Sequence, residues 1–355
     1  MMAPSQTGPG RDRAATEGSV LIVALWTLMV LALLVISMAF DMRIEAEIAS
    51  HIRKRTKAQY LAQAGVEWAK VLMTKHVEML DTGELRVNSS DDPEMIALAH
   101  RFQHLGMGFT GHKHELGEGH FNLSILPEPR RWNINVLAMQ AATDESARCI
   151  LEELLDQAEV PPELYDELID CLIDWIDADD LHRVNGAESD DSFYKERGYK
   201  VKNAPLETVD ELRLIKGWTD AIVYGGPNPN PDDPPMLGVA QKLTVWGEGK
   251  IDVNDAGDEE LLAICEMDEL VLEDIKRLRL GLDGKEGTLD DGIKDLNQVA
   301  GMKPEIAKWL TVRDTKFVRL VSIGEVQGVR AGIWAVLQVS EGQITPLYWR
   351  EEPMD

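Results

Sequence analysis

Seven carboxylates fall within 18 positions of this chain: Asp174, Asp177, Asp179, Asp180, Glu188, Asp190 and Asp191. Acids crowded this closely repel one another in a folded loop unless a cation neutralises them, and calcium, which takes about 6–8 oxygen ligands in flexible geometry, suits such a set. The spacing is not that of an EF-hand, whose glycine and closing glutamate hold set places in a loop of about 12 residues. A solvated acidic loop without metal is the plain alternative. Paired-carboxylate hydrolysis would need two acids facing across a cleft lined with aromatics, and the segment offers crowding without that platform. Trp175 and Ile176 read as core anchors and His182 as a surface residue. The sequence contains no nucleophile elbow, phosphate loop or zinc motif, so it does not read as an enzyme. Cys149, Cys171 and Cys265 are too few for a disulfide scaffold. A single bridge, Cys149 to Cys171, can form where the compartment oxidises thiols; three buried free thiols are the alternative.

The elements that must carry this loop begin with an anchor. Ser19 to Phe40 is a 22-residue run without a charge, long enough to cross a bilayer as helix and not followed by the cleavage-site break of a secretory signal. From Asp41 to Met73 there is no proline and the only glycine is Gly65, while Ile44, Ile48 and Ile52, then Leu61, Ala64 and Trp68, mark an apolar stripe. One helix of roughly 80 Å is expected, from within the membrane to about Met73. Arg11 and Arg13 keep the short tail before the span cytoplasmic, so everything after it is exported. The chain is long enough for two domains beyond the anchor, and its balance of 36 basic to 62 acidic residues, net −26, repels phosphate backbones. Nucleic acid is therefore not an expected partner.

Strand-like alternation within 120–136, where Phe121, Leu123 and Ile125 point one way, is matched near the far end by runs at 316–325, 332–339 and 344–350. Between them lies a helical stretch with a weak repeat. Val209-Asp210-Glu211-Leu212 leading to Ile215-Lys216-Gly217-Trp218 corresponds to Ile293-Lys294-Asp295-Leu296 leading to Val299-Ala300-Gly301-Met302, and Asn133-Ile134-Asn135-Val136 corresponds to Asp252-Val253-Asn254. The expected fold class is α+β: a long N-terminal transmembrane helix and a pilin-like α/β domain holding a large all-α insertion of duplicated helix-hairpin-helix-like units. The segments are 1–18 leader, 19–40 membrane helix, 41–80 its periplasmic continuation, 81–136 with 313–355 the pilin-like domain, and 137–312 the insertion with the acidic loop. At the second hairpin, Cys265-Glu266-Met267-Asp268-Glu269 puts carboxylates where a phosphate needs amides and cations.

A polar leader ending in Gly18, the uncharged run directly after it and a continuous helix of about 50 residues resemble the N-termini of type IV pilins and type II secretion pseudopilins, although Glu17 stands where that family usually has Lys or Arg. The segment 169–203 resembles the signature of the type II secretion protein K family: Asp174-Trp175-Ile176-Asp177, Asp179, Gly186-Ala187-Glu188, Tyr194, Tyr199, Asn203, Pro205 and Leu206 fall into its pattern. The resemblance implies cleavage after Gly18 by a prepilin peptidase, methylation of Ser19, calcium at the acidic loop, and a minor pseudopilin in the inner membrane with its head in the periplasm. Implied partners are the I-type and J-type minor pseudopilins, the major pseudopilin and secreted proteins. Val23 occupies the fifth mature position, where most such subunits carry a glutamate that neutralises a neighbour's N-terminal amine. A subunit without it is suited to a filament's tip rather than its shaft. Two other readings stay open: a minor pilin of a type IV pilus or DNA-uptake filament, and an anchored calcium-dependent binding protein.

Overall fold

The computed structural model describes residues 13–75, 86, 92–228, 230, 233–284, 291–340 and 343–354. One helix, α1, runs from Arg13 to Thr74 without a break. Gly18 and Ser19 lie in its first turns, where side chains are outside the described residues, as is the leader up to residue 12. The segment from Val20 is apolar and long enough to cross a membrane, and Val23 is exposed with its neighbours. α2 (Pro93–Leu105), β1 (Phe109–Leu116) and β2 (Gly119–Pro127) follow. The sequence reading missed α2 and β1. α2 announces itself through Asp92, which accepts the Glu94 N–H at 3.0 Å, Pro93 in the first turn and Gly106 as a left-handed cap. β1 has few apolar residues because it is an edge strand with a largely exposed face.

The remaining elements are β3 (Trp132–Asn133), α3 (Ile134–Ala141), α4 (Glu145–Asp156), α5 (Tyr165–Ile176), α6 (Ser192–Arg197), α7 (Asp220–Tyr224), β4 (Leu243–Thr244), β5 (Ile251–Asp252), α8 (Asp258–Leu262), α9 (Glu269–Arg279), α10 (Pro304–Ala307), β6 (Leu310–Thr311), β7 (Phe317–Val326), β8 (Val329–Ser340) and β9 (Gln343–Met354). β1, β2, β7, β8 and β9 form one antiparallel sheet in that order, so β2 and β7, far apart in sequence, are direct neighbours. The sheet's inner face, with Phe121, Leu123 and Ile125 on β2 and Val318 and Leu320 on β7, closes over Ala62, Val66, Ala69 and Leu72 of α1 and Phe102 of α2. The expected stripe Leu61, Ala64, Trp68 lies at the margin of this contact face, and Ile44, Ile48 and Ile52 are exposed. Gly65 is required by the approach itself, since a Cβ there would come 2.2 Å from the Ser322 hydroxyl, which donates to the Ala62 carbonyl at 2.8 Å.

The helical insertion has its own core, in which both copies of the repeat share one cluster. The duplication is visible in a buried hydrogen-bond device. The Asn135 side chain accepts the Leu206 N–H at 2.7 Å and donates to the Leu206 carbonyl at 2.9 Å; Asn254 does the same to Ile293 at 2.6 and 3.0 Å. β3 pairs in parallel with β4, and β5 with β6, so Leu243-Thr244 and Leu310-Thr311 are equivalent as well. These contacts correct the upstream half of the expected repeat register: Leu206, not Val209, matches Ile293. The downstream half stands, because Gly217 and Gly301, both left-handed, close matching turns. The offset is absorbed by 3-10 helices of six residues (Val209–Leu214) in the first copy and three (Leu296–Gln298) in the second.

One pair of matched positions differs in chemistry. Asn133 donates to the Gly247 carbonyl at 2.8 Å, whereas Asp252 accepts the Asp314 N–H at 2.6 Å. Burial pushes the Asp252 carboxyl up to about 7. The expected Cys149–Cys171 bridge is not formed: Cys149 pairs with Cys265, with Cα atoms 6.3 Å apart, and Cys171 is a buried thiol. Cys171 faces the acidic loop, its thiol 3.6 Å from the Asn185 carbonyl, while Cys149 faces the second copy. The bridge therefore ties the two copies together instead of two helices within one. Glu128, buried at the end of β2, accepts both Arg319 of β7, at 2.7 and 3.1 Å, and the Thr244 hydroxyl, fastening the insertion to the sheet.

Candidate metal centre

α5 presents Asp170 and Asp174 one turn apart, both buried, toward the loop that follows it. Asp170 is fully engaged: Arg148 of α4 donates to Oδ1 at 3.1 Å, and the backbone and side-chain N–H groups of Asn185 donate to Oδ2 at 3.2 Å. Asp174 accepts the Arg183 N–H, 3.1 Å from Oδ2. Two helix carboxylates thus fold residues 183–185 back onto α5. Gly186 lies directly against Asp174, where a Cβ would sit 1.9 Å from Oδ2, so the loop can pass only as glycine.

Around that turn several buried oxygens lie without hydrogen-bond partners. Glu188 is 3% exposed and neither of its carboxylate oxygens has a hydrogen-bond partner. Asp177 Oδ1 and Asn203 Oδ1 are buried without partners too. Burial first, then the charges of Asp174 and Asp177, push the Glu188 carboxyl up to about 7. Burial likewise raises Asp174 and Asp177. Native proteins leave few buried oxygens unpaired, and carboxylates that raise one another's affinity for a proton will equally accept a metal ion. The donors are all hard oxygens, which fits calcium better than zinc or copper. Among the described residues no three His, Cys, Asp or Glu side chains converge as a ready cage, so a cation here would draw on the Asn203 amide and main-chain oxygens beside the carboxylates.

The seven expected ligands therefore separate. Asp174 and Asp177 lie near enough to act on the Glu188 carboxyl through their charges, without converging on one point. Asp179 Oδ1 accepts the Leu181 N–H at 2.8 Å, and Asp180 accepts the Asn203 amide at 3.0 Å. Asp190 is exposed, and Asp191 caps α6 through the Phe193 N–H at 2.8 Å while pairing with Lys216 at 3.0 Å. Sequence reasoning missed Asn203 as a donor; its left-handed backbone, φ 48°, aims it back at the loop. Trp175 and Ile176 are core residues, as expected, and the Trp175 ring packs on Tyr194 at 5.8 Å, with Tyr199 packed on Tyr194 at the same spacing. His182 is exposed. The two hairpins that could have met a phosphate each place a glutamate in the left-handed region, Glu159 and Glu266.

Residues 130–224, from the end of β2 through α7, match the family model for type II secretion system (T2SS), protein K. The chain is 31% identical over 152 residues to the type II secretion system protein K of Klebsiella pneumoniae; the match spans 41% of this chain and 44% of that relative. In fold it resembles a chain from the crystal structure of the GspK-GspI-GspJ complex of the enterotoxigenic Escherichia coli type 2 secretion system, with a TM-score of 0.53 at 17% identity, covering 88% of this chain and 99% of the other. The segment that holds the acidic loop is thus the segment the family model describes, and the architecture around it is shared along nearly the whole length. The chain thus spans less than half the length of the curated protein K relative it matches, and the likeness to protein K of type II secretion systems lies in residues 130–224 and in the fold.

Proposed function

We propose that this protein is a minor pseudopilin that starts or caps the pseudopilus of a type II secretion system. The observation that carries the reading is the joining of two parts in one chain: a continuous helix, apolar at its N-terminal end, clasped by a five-stranded sheet, and a protein K helical body inserted between adjacent strands of that sheet. In this reading α1 is held in the inner membrane, the head lies in the periplasm, prepilin peptidase cuts after Gly18, and Ser19 is methylated. α1 packs beside the helices of the I-type and J-type minor pseudopilins above the major pseudopilin. Val23 supplies no carboxylate to a further neighbour, which suits a terminal place. The role is one of assembly and requires no catalysis.

Calcium belongs to the same reading. Asp174, Asp177, Glu188 and Asn203 would hold it, and its charge would relieve the repulsion that the unpaired oxygens of Glu188 now feel. Mass spectrometry of the mature N-terminus tests the class of protein: a chain beginning at methylated Ser19 is expected, and an uncut chain would refute it. Val23→Glu tests the place. It is expected to let the subunit enter the filament shaft, and unchanged tip-limited labelling would remove Val23 from the account.

A further inference from the structure

The one concentrated positive region of this acidic chain is the neck of α1, where His51, Arg53, Lys54, Arg55 and Lys57 fall within seven residues just below the sheet. Lys57 pairs with Glu118 of the β1–β2 turn. Arg53, Lys54 and Arg55 make no ion pair among the described residues, although the chain carries 62 acids. One to two turns above Arg53 and Lys54 lies an open, mostly apolar groove of about 330 Å³, lined by Tyr60 and Leu61 of α1, Leu116, Gly119 and Val326 and rimmed by the Lys57–Glu118 pair, while Arg55 lines a second recess with Glu351 and Glu352. Tyr60 and Leu116 are largely exposed, and Tyr60 continues the i+4 row of Ile44, Ile48 and Ile52 up the helix.

We infer that this neck is a docking surface for the acidic globular head of a neighbouring pilin-like subunit, which inserts an apolar side chain between Tyr60 and Leu116 while its carboxylates face Arg53, Lys54 and Arg55. The inference deepens the pseudopilin reading and rests on it. Cations without an ion pair on the helix just below an apolar recess fit a partner of opposite charge with a hydrophobic anchor, and such complementarity governs partner choice and association rate. Anionic lipid is the wrong occupant. Arg53 lies 13 residues beyond Phe40, about 20 Å along the helix, well outside a screening length of about 8 Å.

The test uses the full chain in detergent with the full-length I-type and J-type minor pseudopilins of the same system, comparing wild type with the triple Arg53→Glu, Lys54→Glu, Arg55→Glu variant and with Tyr60→Ala. At low salt the triple variant is expected to bind at least tenfold more weakly to one of the two partners, and the gap to close at 0.5 M salt; Tyr60→Ala is expected to weaken binding at both salts. Equal affinity and equal salt dependence of wild type and triple variant would overturn the docking surface while leaving the pseudopilin reading intact. Absence of binding by the wild-type chain to either partner would overturn both. Duplex DNA serves as the remaining probe: saturable binding at physiological salt that the triple variant loses would reassign the neck to nucleic acid and overturn the proposal.

Discussion

The two copies of the helical module share what holds them up and differ in what they expose. Asn135 and Asn254 clamp Leu206 and Ile293 with the same pair of hydrogen bonds, two-residue parallel ladders close both units, and left-handed glycines end the same turn. Between α5 and its clamp, however, the first copy carries the long loop that contains Glu188. The scaffold has been kept twice and the acidic loop elaborated in one place. Buried unpaired carboxylate oxygens are costly; the second copy has one, on Asp255, whereas the elaborated loop of the first leaves both oxygens of Glu188 and one of Asp177 without partners.

The largest expected effect probes the link between the copies. Cys149→Ser and Cys265→Ser are each expected to lower stability by about 4 kcal/mol, because the bridge closes a loop of more than 100 residues in the unfolded chain; urea titration measures it. Thiol labelling of the denatured, unreduced protein should find Cys171 alone, and labelling of Cys265 in its place would restore the pairing the helices suggested. Next come the clamps: Asn135→Ala and Asn254→Ala should each cost roughly 3 kcal/mol by stranding a buried N–H and carbonyl. A large inequality between them would break the claim that the copies carry equal structural weight.

Each copy holds a carboxyl raised to about 7, Glu188 in the first and Asp252 in the second, so pH acts on both and a calcium titration tests the elaborated loop alone. The folded-state pKa of Glu188 is raised to about 7, so with chelator present stability should fall as pH rises through the window from about 4.5 to 7, where the unfolded state gives up a proton that the folded state still holds. Calcium should offset the Glu188 share of that fall at pH 8, and Glu188→Gln should remove both that share and the calcium response, on the order of 2 kcal/mol at pH 8, leaving the share of Asp252. Melting curves at pH 5 and pH 8, with chelator and with calcium, read the outcome; a wild-type curve indifferent to chelator at pH 8 removes the metal from the account. The smallest effects test the offset of three residues. Glu211 accepts the Glu207 and Thr208 N–H groups and Gln298 accepts the Lys294 N–H, so Glu211→Ala and Gln298→Ala should each cost about 1 kcal/mol.

Much of the architecture was legible because it rests on periodicity. The alternation of Phe121, Leu123 and Ile125 and the three terminal runs became strands of one sheet, and the proline-free stretch after Phe40 became one helix. β1 was illegible because an edge strand with one wet face needs no apolar alternation. The repeat was misread upstream for a related reason: apolar and acidic residue types recur at several registers in a 3-10 segment, and only the Asn135 and Asn254 hydrogen bonds fix which is right. In the acidic loop, composition gave the carboxylates but not their division. Asp191 was indistinguishable from a ligand until the helix it caps was known, and the Asn203 donor depends on a backbone conformation that its residue type permits without demanding. Cysteine pairing depended on which faces of α4 and α5 turn toward one another, a property of the assembled core.

Pro127 on β2 lies across the ladder from Val318 on β7, and the whole helical body enters and leaves the sheet between them. To the sheet, that body is topologically a hairpin turn. Its two ends are held about 5 Å apart whatever lies between them, so the insertion can lengthen, duplicate or diverge without altering how the strands pair or how they grip α1. Replacing the body with a short turn should therefore leave a small head still folded on its helix.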